Sequence, residues 1–355
     1  MQEYNDIRID TQKLLINPAI LFKKFAVTHI TEKIQQFRNT ACNIITGQDD
    51  RLLVVVGPCS IHDVIAAQEF AHKLRIAANN FADDLFIIMR VYFEKPRTTI
   101  GWRGLISDPH LNGTFDINHG LKIARKLLID ISELNIPVGT EFLDTIIPRY
   151  LSDLISWSTI GARTSESQLH RELASGLATP VGFKNTTDGN IQIAIDAAHT
   201  ARYPHHFLSI DYQGAPIVIS TKGNNNCHII LRGSNDKPNY SPIHINKAIT
   251  LLKNADLLPY LMVDCSHGNS MKNYKNQIIT AKSVADQIKQ GSFAICGIML
   301  ESNLVAGNQR LENNLTLKYG QSITDECISW EETLPLFTEL ATAIRQRRLK
   351  KCNPC

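Results

Sequence analysis

Residues 51–60 read RLLVVVGPCS, and this stretch sets the pattern that the rest of the chain repeats. Its five apolar residues, Leu52–Val56, are continuous rather than alternating, which is typical of a strand buried on both faces of a parallel sheet. Amphipathic stretches that predict helices separate it from seven further apolar runs, at 85–89, 136–139, 159–161, 180–183, 228–231, 261–263 and 294–300. Eight strands with helical connections predict a (β/α)8 TIM barrel, with an open doubly wound sheet as the alternative.

Two other apolar runs and the N-terminal segment do not fit this repeat. The runs at 207–210 and 217–219 are separated by too few residues for a helix, so they predict a β-hairpin inserted at about residues 206–220. Residues 1–48 precede the first strand and have helical periodicity. We therefore expect an N-terminal extension over 1–48, with a role in oligomerisation or regulation, and a catalytic barrel over 49–355.

The composition excludes several classes of protein. The chain has 355 residues, with 37 Lys and Arg against 34 Asp and Glu. This composition lacks the basic excess of a nucleic-acid-binding protein. It contains no apolar run long enough to cross a membrane, and its N-terminus does not resemble a signal peptide. The eight cysteines are scattered, which predicts reduced thiols. We expect a cytoplasmic protein that binds neither nucleic acid nor membrane.

Charged side chains follow the predicted strands, at the end of the barrel where active sites lie. A single arginine there could pair with a structural carboxylate, but six cations on one rim favour one or two small phosphorylated or carboxylated substrates. No glycine-rich nucleotide-binding motif is present, so a nucleotide is not expected. The six cations are Arg90, Lys95, Arg97, Arg163, Lys184 and Arg232.

A second set of strand ends predicts a metal site. Cys59, His267 and Glu301 follow three of the strands, and Asp325 is a candidate fourth member. A thiol, an imidazole and two carboxylates form a mixed soft and hard donor set that suits Mn²⁺, Fe²⁺, Co²⁺ or Zn²⁺. The spacing is not a local motif, and an isolated buried cysteine is more often an inert core residue.

Around these residues the chain resembles the class I 3-deoxy-D-arabino-heptulosonate-7-phosphate (DAHP) synthases, in their microbial, amino-acid-regulated branch. The resemblance extends from about residue 5 to about residue 345. The run from Met89 to Thr99 is long enough to be specific on its own. The motifs are GPCSIH at 57–62, MRVYFEKPRTT at 89–99, GART at 161–164, GFK at 182–184, IILRG at 229–233, DCSH at 264–267 and SITD at 322–325.

The resemblance implies a transferase, 3-deoxy-7-phosphoheptulonate synthase. Such an enzyme condenses phosphoenolpyruvate with erythrose 4-phosphate and water, and releases phosphate, in the first step of the shikimate pathway of aromatic amino acid biosynthesis. It implies a divalent metal ion and no organic cofactor. The implied metal ligands are Cys59, His267, Glu301 and Asp325.

The resemblance also assigns the substrate contacts. Phosphoenolpyruvate is expected to contact Arg90, Lys95, Arg163, Lys184 and Arg232. Erythrose 4-phosphate is expected to contact Lys95, Pro96, Arg97 and Thr98. We expect Lys95 to protonate the growing alkoxide, and Glu141 or a metal-bound water to handle the proton of the attacking water. The residues expected to take part in catalysis are therefore Lys95, Cys59, His267 and Glu141.

Regulation is implied as well, because many of the resembling enzymes are homodimers or homotetramers that one aromatic amino acid inhibits. The inhibitor is expected to bind between the N-terminal extension and elements of the barrel. Arg149 stands where a glutamine is usual, which leaves the identity of the inhibitor open. The expected pocket residues are Asp6, Thr145, Arg149, Leu173, Leu177, Phe207 and Ile219.

Three other functions are alternatives. A related 3-deoxy-sugar synthase would use a longer aldose phosphate, but the run at 95–98 favours the shorter one. A Schiff-base aldolase would use Lys184 and would be trapped by borohydride. A catalytically inactive amino-acid sensor would have no reason to keep Cys59 and the other ligand positions.

Overall fold

Eight parallel strands form a closed barrel, because the last strand pairs with the first. The computed structural model describes residues 8–97, 101–311 and 316–352. The strand Ile295–Asn303 lies beside the strand Leu52–Gly57, with Gly57 opposite Glu301, so the predicted barrel is confirmed and the open sheet is excluded. In barrel order the strands are β1 (Leu52–Gly57), β2 (Leu85–Arg90), β3 (Val138–Glu141), β4 (Trp157–Ile160), β5 (Val181–Lys184), β8 (Cys227–Leu231), β9 (Leu261–Asp264) and β10 (Ile295–Asn303).

Helices connect the barrel strands and cover their outer faces. No helix among the described residues is long and apolar enough to cross a membrane. A short 3₁₀ turn at Ser152–Leu154 precedes β4. The helices are α1 (Pro18–Lys24), α2 (Thr31–Ile45), α3 (Val64–Asn80), α4 (Ile117–Glu133), α5 (Pro148–Leu151), α6 (Gln168–Gly176), α7 (Ile191–Ala201), α8 (Pro242–Asn254), α9 (Asn276–Lys289) and α10 (Trp330–Cys352).

The remaining strands lie outside the barrel. β6 (His206–Ile210) and β7 (Pro216–Ser220) form an antiparallel pair in which Phe207 lies opposite Ile219, which confirms the predicted hairpin. Three short strands follow β10 and carry the chain around the mouth of the barrel towards α10. They are β11 (Val305–Asn308), β12 (Gln321–Ser322) and β13 (Ile328–Ser329).

Polar side chains fix where several helices begin. The Asp63 carboxylate accepts hydrogen bonds from the backbone N–H groups of Ile65 and Ala66 at the start of α3. Asp116 caps α4 in the same way by accepting from His119 N–H. These bonds satisfy donors that have no partner within the first turn of a helix. Each cap sets the point at which the chain turns back along the barrel wall.

The N-terminal segment closes one end of the barrel. Leu53 of β1 and Trp157 of β4 lie at the amino ends of their strands, inside the barrel. Ala41, Ile44 and Ile45 of α2 belong to the same buried cluster, so this helix covers the barrel base with apolar side chains. The expected division into an extension over 1–48 and a barrel over 49–355 stays a prediction.

His228 lies in this apolar base. Its side chain is buried, and its ring centroid is 5.9 Å from that of Trp157. Neither ring nitrogen has a hydrogen-bond partner within the described part of the chain. Burial lowers the pKa of His228 to about 3, because the protonated ring would lose its solvation. The imidazole is therefore neutral in the folded protein at ordinary pH.

We expect His228→Phe to make the protein less sensitive to acid. The unfolded chain binds a proton at His228 below about pH 6.5, whereas the folded chain does so only near pH 3. Acidification through this window therefore costs the folded state up to about 1.4 kcal/mol per pH unit, a cost that phenylalanine removes. Urea titrations at a series of pH values should show a shallower fall in the free energy of unfolding for the variant.

His72→Phe is the matched control, because His72 is exposed on α3. This control should keep the pH dependence of the wild type. Equal slopes for His228→Phe and the wild type below about pH 6 would show that burial does not suppress protonation of His228.

Candidate active site

A cavity of about 570 Å³ opens at the carboxyl ends of the barrel strands. Its volume is within the range of small-molecule sites. Cys59 and Arg90 are fully buried beside this cavity, and Thr98 lies outside the described residues. The cavity is lined by most of the residues that were predicted for catalysis, substrate binding and metal binding, namely Lys95, Pro96, Arg97, Glu141, Arg163, Lys184, Arg232, His267, Glu301 and Asp325.

The parallel arrangement of the strands explains this convergence. Arg90, Glu141 and Lys184 are the last residues of β2, β3 and β5, and Arg232 directly follows β8. Because all eight strands run in the same direction, their carboxyl ends meet around one opening. Side chains that are far apart in sequence thereby come to share one cavity.

Four donors suited to a metal ion lie near one another at this cavity, three of them in its lining and Cys59 buried beside it. The thiol of Cys59 and carboxylate oxygens of Glu301 and Asp325 all lie within 4.8 Å of one another. The Nε2 atom of His267 is 3.7 Å from Glu301 Oε1. Sulfur, nitrogen and carboxylate oxygen donors together suit a divalent ion of the first transition series.

The surroundings of Cys59 also fit a metal ligand. Its sulfur accepts a hydrogen bond from the backbone N–H of Asp325 at 3.4 Å, and its thiol faces Asp325 Oδ2 at 3.6 Å. Burial, together with the negative charge of Glu301, raises the pKa of Cys59 to about 12. A divalent cation among these donors would reverse that effect and stabilise the thiolate. The donor set therefore fits a divalent metal ion.

Hydrogen bonds between two segments hold Asp325 beside Cys59. The hydroxyls of Ser60 and Thr324 lie 2.7 Å apart, which joins the segment after β1 to the segment after β12. Asn308 of β11 donates to the carbonyl of Thr324 at 2.8 Å. The position of Asp325 therefore depends on contacts from two other parts of the chain.

Arg90 fixes the orientation of Glu301. Its Nη2 donates to Glu301 Oε1 at 2.8 Å, and the two side chains are 0% and 2% exposed. The same guanidinium donates to the carbonyls of Pro58 and Cys59 and lies 3.5 Å from the centroid of the Tyr92 ring. Arg90 thus connects the ends of β1, β2 and β10 behind the cavity.

Lys95 lies between the two carboxylates of the candidate metal site. Its Nζ is 4.0 Å from Glu301 Oε1 and 3.8 Å from Asp325 Oδ2. Burial alone would lower the pKa of Lys95, but Cys59, Glu301 and Asp325 raise it above its ordinary value. Lys95 in turn lowers the pKa of Asp325 to about 2. The amine is therefore protonated and can act as a proton donor.

Further cations line the same cavity. Lys184 Nζ lies 3.1 Å from Asp264 Oδ2 and 3.9 Å from Glu141 Oε2. Burial would raise the pKa of Asp264, but His267 and Lys184 lower it well below its usual value, so it is ionised. Asp264 is absent from the set predicted from sequence, although it directly follows the predicted strand at 261–263. Its place at the end of a predicted strand is a signal that the sequence offers, but its contacts with His267 and Lys184 are seen only in the structure.

The residues predicted for an inhibitor pocket lie away from this cavity. Thr145 lies just before α5 and Arg149 lies in it. Leu173 lies in α6 and Leu177 just after it, and Phe207 and Ile219 face each other in the hairpin. The guanidinium of Arg149 is 4.5 Å from the Tyr212 ring centroid. Asp6 lies outside the described residues. That these residues bind one inhibitor stays a prediction.

The chain is similar in sequence and in fold to known proteins. The Phe-sensitive phospho-2-dehydro-3-deoxyheptonate aldolase of Escherichia coli is 52% identical over 345 residues, which are 97% of this chain and 98% of the relative. The Trp-sensitive enzyme of Buchnera aphidicola is 52% identical over 346 residues, with the same coverage of both chains. The solved structure of the aldolase from Francisella tularensis gives a TM-score of 0.94 at 50% identity, covering 96% of this chain and 100% of that one.

These likenesses extend over almost the whole chain, and they include the strands and loops that form the cavity. The model of the DAHP synthetase I family matches residues 25–337, from the segment after α1 to the first half of α10. This match contains every predicted substrate and metal residue. The chain therefore belongs to the DAHP synthetase I family.

Proposed function

We propose that this chain condenses phosphoenolpyruvate with erythrose 4-phosphate and water to give DAHP and phosphate, the first step of the shikimate pathway. The observation that carries the proposal is that the donor set of Cys59, Glu301 and Asp325 and several buried cations lie together at one cavity. The relatives are named for the aldolase activity on the same product. Two phosphorylated substrates need such a concentration of positive charge.

The cations divide the cavity between the two substrates in this proposal. The cations that bind phosphoenolpyruvate are Arg90, Lys95, Arg163, Lys184 and Arg232, and of these Arg90 is fully buried beside the cavity. Arg97 binds erythrose 4-phosphate, and its Nε donates to the Trp102 carbonyl at 2.8 Å, which limits the motion of its side chain. Holding two anionic substrates together despite their repulsion supplies much of the rate enhancement. Pro96 and Thr98 complete the erythrose 4-phosphate site.

Lys95 and Glu141 carry the proton transfers in the proposal. The buried, protonated amine of Lys95 donates to the oxygen of the aldehyde as carbon–carbon bond formation makes it an alkoxide. Glu141 receives the proton of the water that adds to C2 of phosphoenolpyruvate. A Cβ on Gly161 would lie 2.4 Å from Glu141 Oε1, so the glycine leaves room for this carboxylate at the cavity wall.

A divalent ion completes the site, and Mn²⁺, Fe²⁺, Co²⁺ or Zn²⁺ would suit it. Cys59, His267, Glu301 and Asp325 would hold the ion. When bound, it would polarise the aldehyde oxygen of erythrose 4-phosphate.

The six described cysteines outside the C-terminal end are all free, which supports a reducing compartment such as the cytoplasm.

The direct test is phosphate release from the two substrates, with and without EDTA. We expect release that requires both substrates and stops when the chelator removes the metal. Trapping by borohydride, together with activity that survives EDTA, would instead indicate a Schiff base on Lys184. Turnover only with a longer aldose phosphate would indicate a related 3-deoxy-sugar synthase.

We expect Cys59→Ala and His267→Ala to lower activity by at least about a hundredfold, because each removes a metal ligand. Thermal unfolding should change little, since the core is apolar. In cobalt-loaded protein, Cys59→Ala should also lose the thiolate-to-cobalt absorption band. Cys296→Ala is the matched control, because Cys296 is a buried thiol at the start of β10. Wild-type metal content in Cys59→Ala would refute the assignment.

We expect Arg97→Ala and Lys95→Met to affect different kinetic constants. Arg97→Ala should raise KM for erythrose 4-phosphate by about tenfold to a hundredfold, with a smaller effect on KM for phosphoenolpyruvate. Lys95→Met should lower kcat by about a hundredfold or more, because its proton is needed in the transition state. Arg103→Ala is the control, since this nearby arginine is exposed. Equal effects of Arg97→Ala on both KM values would show that the subsites are misassigned.

We further propose that the chain forms a homodimer or homotetramer and that one aromatic amino acid inhibits it. The relatives named above are Phe-sensitive and Trp-sensitive, so their names leave the effector of this chain open. Packing between α6 and β6 supports a shared site, as does the 2.7 Å contact between the hydroxyls of Ser175 and Thr221. In this proposal, binding of the inhibitor would act on the barrel through α6, which packs against β6 of the hairpin.

We expect Phe, Tyr or Trp to lower the initial rate, and deletion of residues 1–12 to remove this inhibition while sparing catalysis. The physical reason is that the deletion removes Asp6, the predicted partner of the inhibitor's ammonium group. Initial rates against each amino acid, for the full and the shortened chain, provide the measurement. No inhibition of the full chain at millimolar concentrations would leave the N-terminal segment with a role in assembly alone.

A further inference from the structure

Asp264 is a buried carboxylate that faces both halves of the candidate active site. It is the last residue of β9 and is 0% exposed. Its Oδ2 lies 2.9 Å from Nδ1 of His267 and 3.1 Å from Nζ of Lys184. One oxygen atom thus faces a predicted metal ligand and a predicted ligand of phosphoenolpyruvate.

The contacts of Asp264 fix which nitrogen of His267 is available to a metal ion. The hydroxyl of Ser266 donates to Asp264 Oδ1 at 2.8 Å and lies 2.6 Å from His267 Nδ1. An Nδ1 that faces both a carboxylate and this hydroxyl oxygen carries the ring proton, so the lone pair is on Nε2. Nε2 is the atom that faces Glu301, at 3.7 Å.

The backbone conformation at this point supports a functional constraint. His267 has φ of +56°, in the left-handed region that residues other than glycine rarely adopt. Asn269 donates to the carbonyl of Asp264 at 2.8 Å and to the carbonyl of Leu231 at 3.0 Å, which holds the loop after β9 against the ends of β8 and β9. Such strain persists where the surrounding structure fixes a side chain in place.

On its other side, Asp264 holds Lys184 at the cavity wall. Lys184 is 3% exposed, and the carbonyl of the same residue accepts a hydrogen bond from the Ser165 hydroxyl at 2.7 Å. Arg163 and Arg232 line the same cavity. A negative charge 3.1 Å behind the amine offsets the repulsion among these three cations, so Lys184 keeps its position before an anionic substrate arrives.

We propose that Asp264 is a positioning residue that orients His267 towards the metal ion and Lys184 towards the phosphate or carboxylate of phosphoenolpyruvate. This inference rests on the proposed function. It predicts that loss of one negative charge weakens two binding events that involve different side chains. A residue with only a structural role would lower stability without that paired effect.

The test compares Asp264→Asn with the wild type in two binding measurements that need no turnover. Cobalt affinity, measured by competition with a chromophoric chelator, should fall by about tenfold to a hundredfold, as for other residues that orient metal-binding histidines. Affinity for phosphoenolpyruvate, measured by tryptophan fluorescence at saturating cobalt, should fall by about tenfold or more, because an amide cannot pair with the ammonium of Lys184.

Asp84→Asn is the matched control. Asp84 is also buried and also lies between two cations, at 2.7 Å from both Arg345 and Arg348, on the outside of the barrel. This control should lose stability and keep both affinities. Asp264→Asn that keeps either affinity at the wild-type value would overturn the proposal. Phosphate release by the wild type separately tests the proposed function.

Ser266→Ala carries the test if Asp264→Asn does not fold. Its hydroxyl is shared by Asp264 Oδ1 and His267 Nδ1, so its loss should weaken cobalt binding severalfold. Affinity for phosphoenolpyruvate should remain near the wild-type value, because the contact between Asp264 and Lys184 is kept. Unchanged cobalt affinity in this variant would contradict the role of Asp264 in orienting the imidazole.

Discussion

The buried ion pair between Arg90 and Glu301 is the interaction on which the candidate site depends. Charges removed from water are stable only when their partners satisfy them fully. Arg90 meets this condition through Glu301, the carbonyls of Pro58 and Cys59, and the ring of Tyr92. These partners come from the ends of β1, β2 and β10, so the pair holds Cys59 and Glu301 beside each other.

The rest of the cavity extends the same principle of local charge balance. Lys95 lies between Glu301 and Asp325, and Lys184 lies between Asp264 and Glu141. Lys95 and Lys184, two of the cations expected to meet a substrate, thus each face two carboxylates, which permits several positive charges to share one opening. Glu301 and Asp325 are also the predicted metal ligands, so Lys95 and a divalent ion would share the same oxygens. The site is therefore organised to receive anions and one cation together.

The sequence predicted the barrel because each strand is a short, continuous apolar run, and the hairpin because its connection is too short for a helix. Parallel strands bring their carboxyl ends together in any closed barrel, which is why residues such as Glu141 and Lys184 could be placed in one site. The arrangement at the base could not be predicted. Packing of Ala41 and Ile44 against Leu53 depends on tertiary contacts that no local pattern records.

Asp264 escaped prediction for a related reason. Its importance comes from two distances, to His267 and to Lys184, and Lys184 is on a different strand. A strand-end rule that searches for cations and metal ligands finds the partners but not the carboxylate that orients them. Carboxylates of this kind can be recognised only when the three-dimensional arrangement is known, because their role is defined by what they contact on both sides.

The two ends of the barrel interior have opposite physical characters, and this separation explains how one fold can hold so many charges. At the base, apolar side chains from β1, β4 and α2 pack with almost no exposed surface, and even the imidazole of His228 is kept neutral. At the mouth, the buried side chains of Arg90, Lys95 and Lys184 are held by carboxylates, and Arg90 also by backbone carbonyls. Burial of apolar surface supplies the stability, so the residues at the mouth can be arranged for binding and proton transfer rather than for packing.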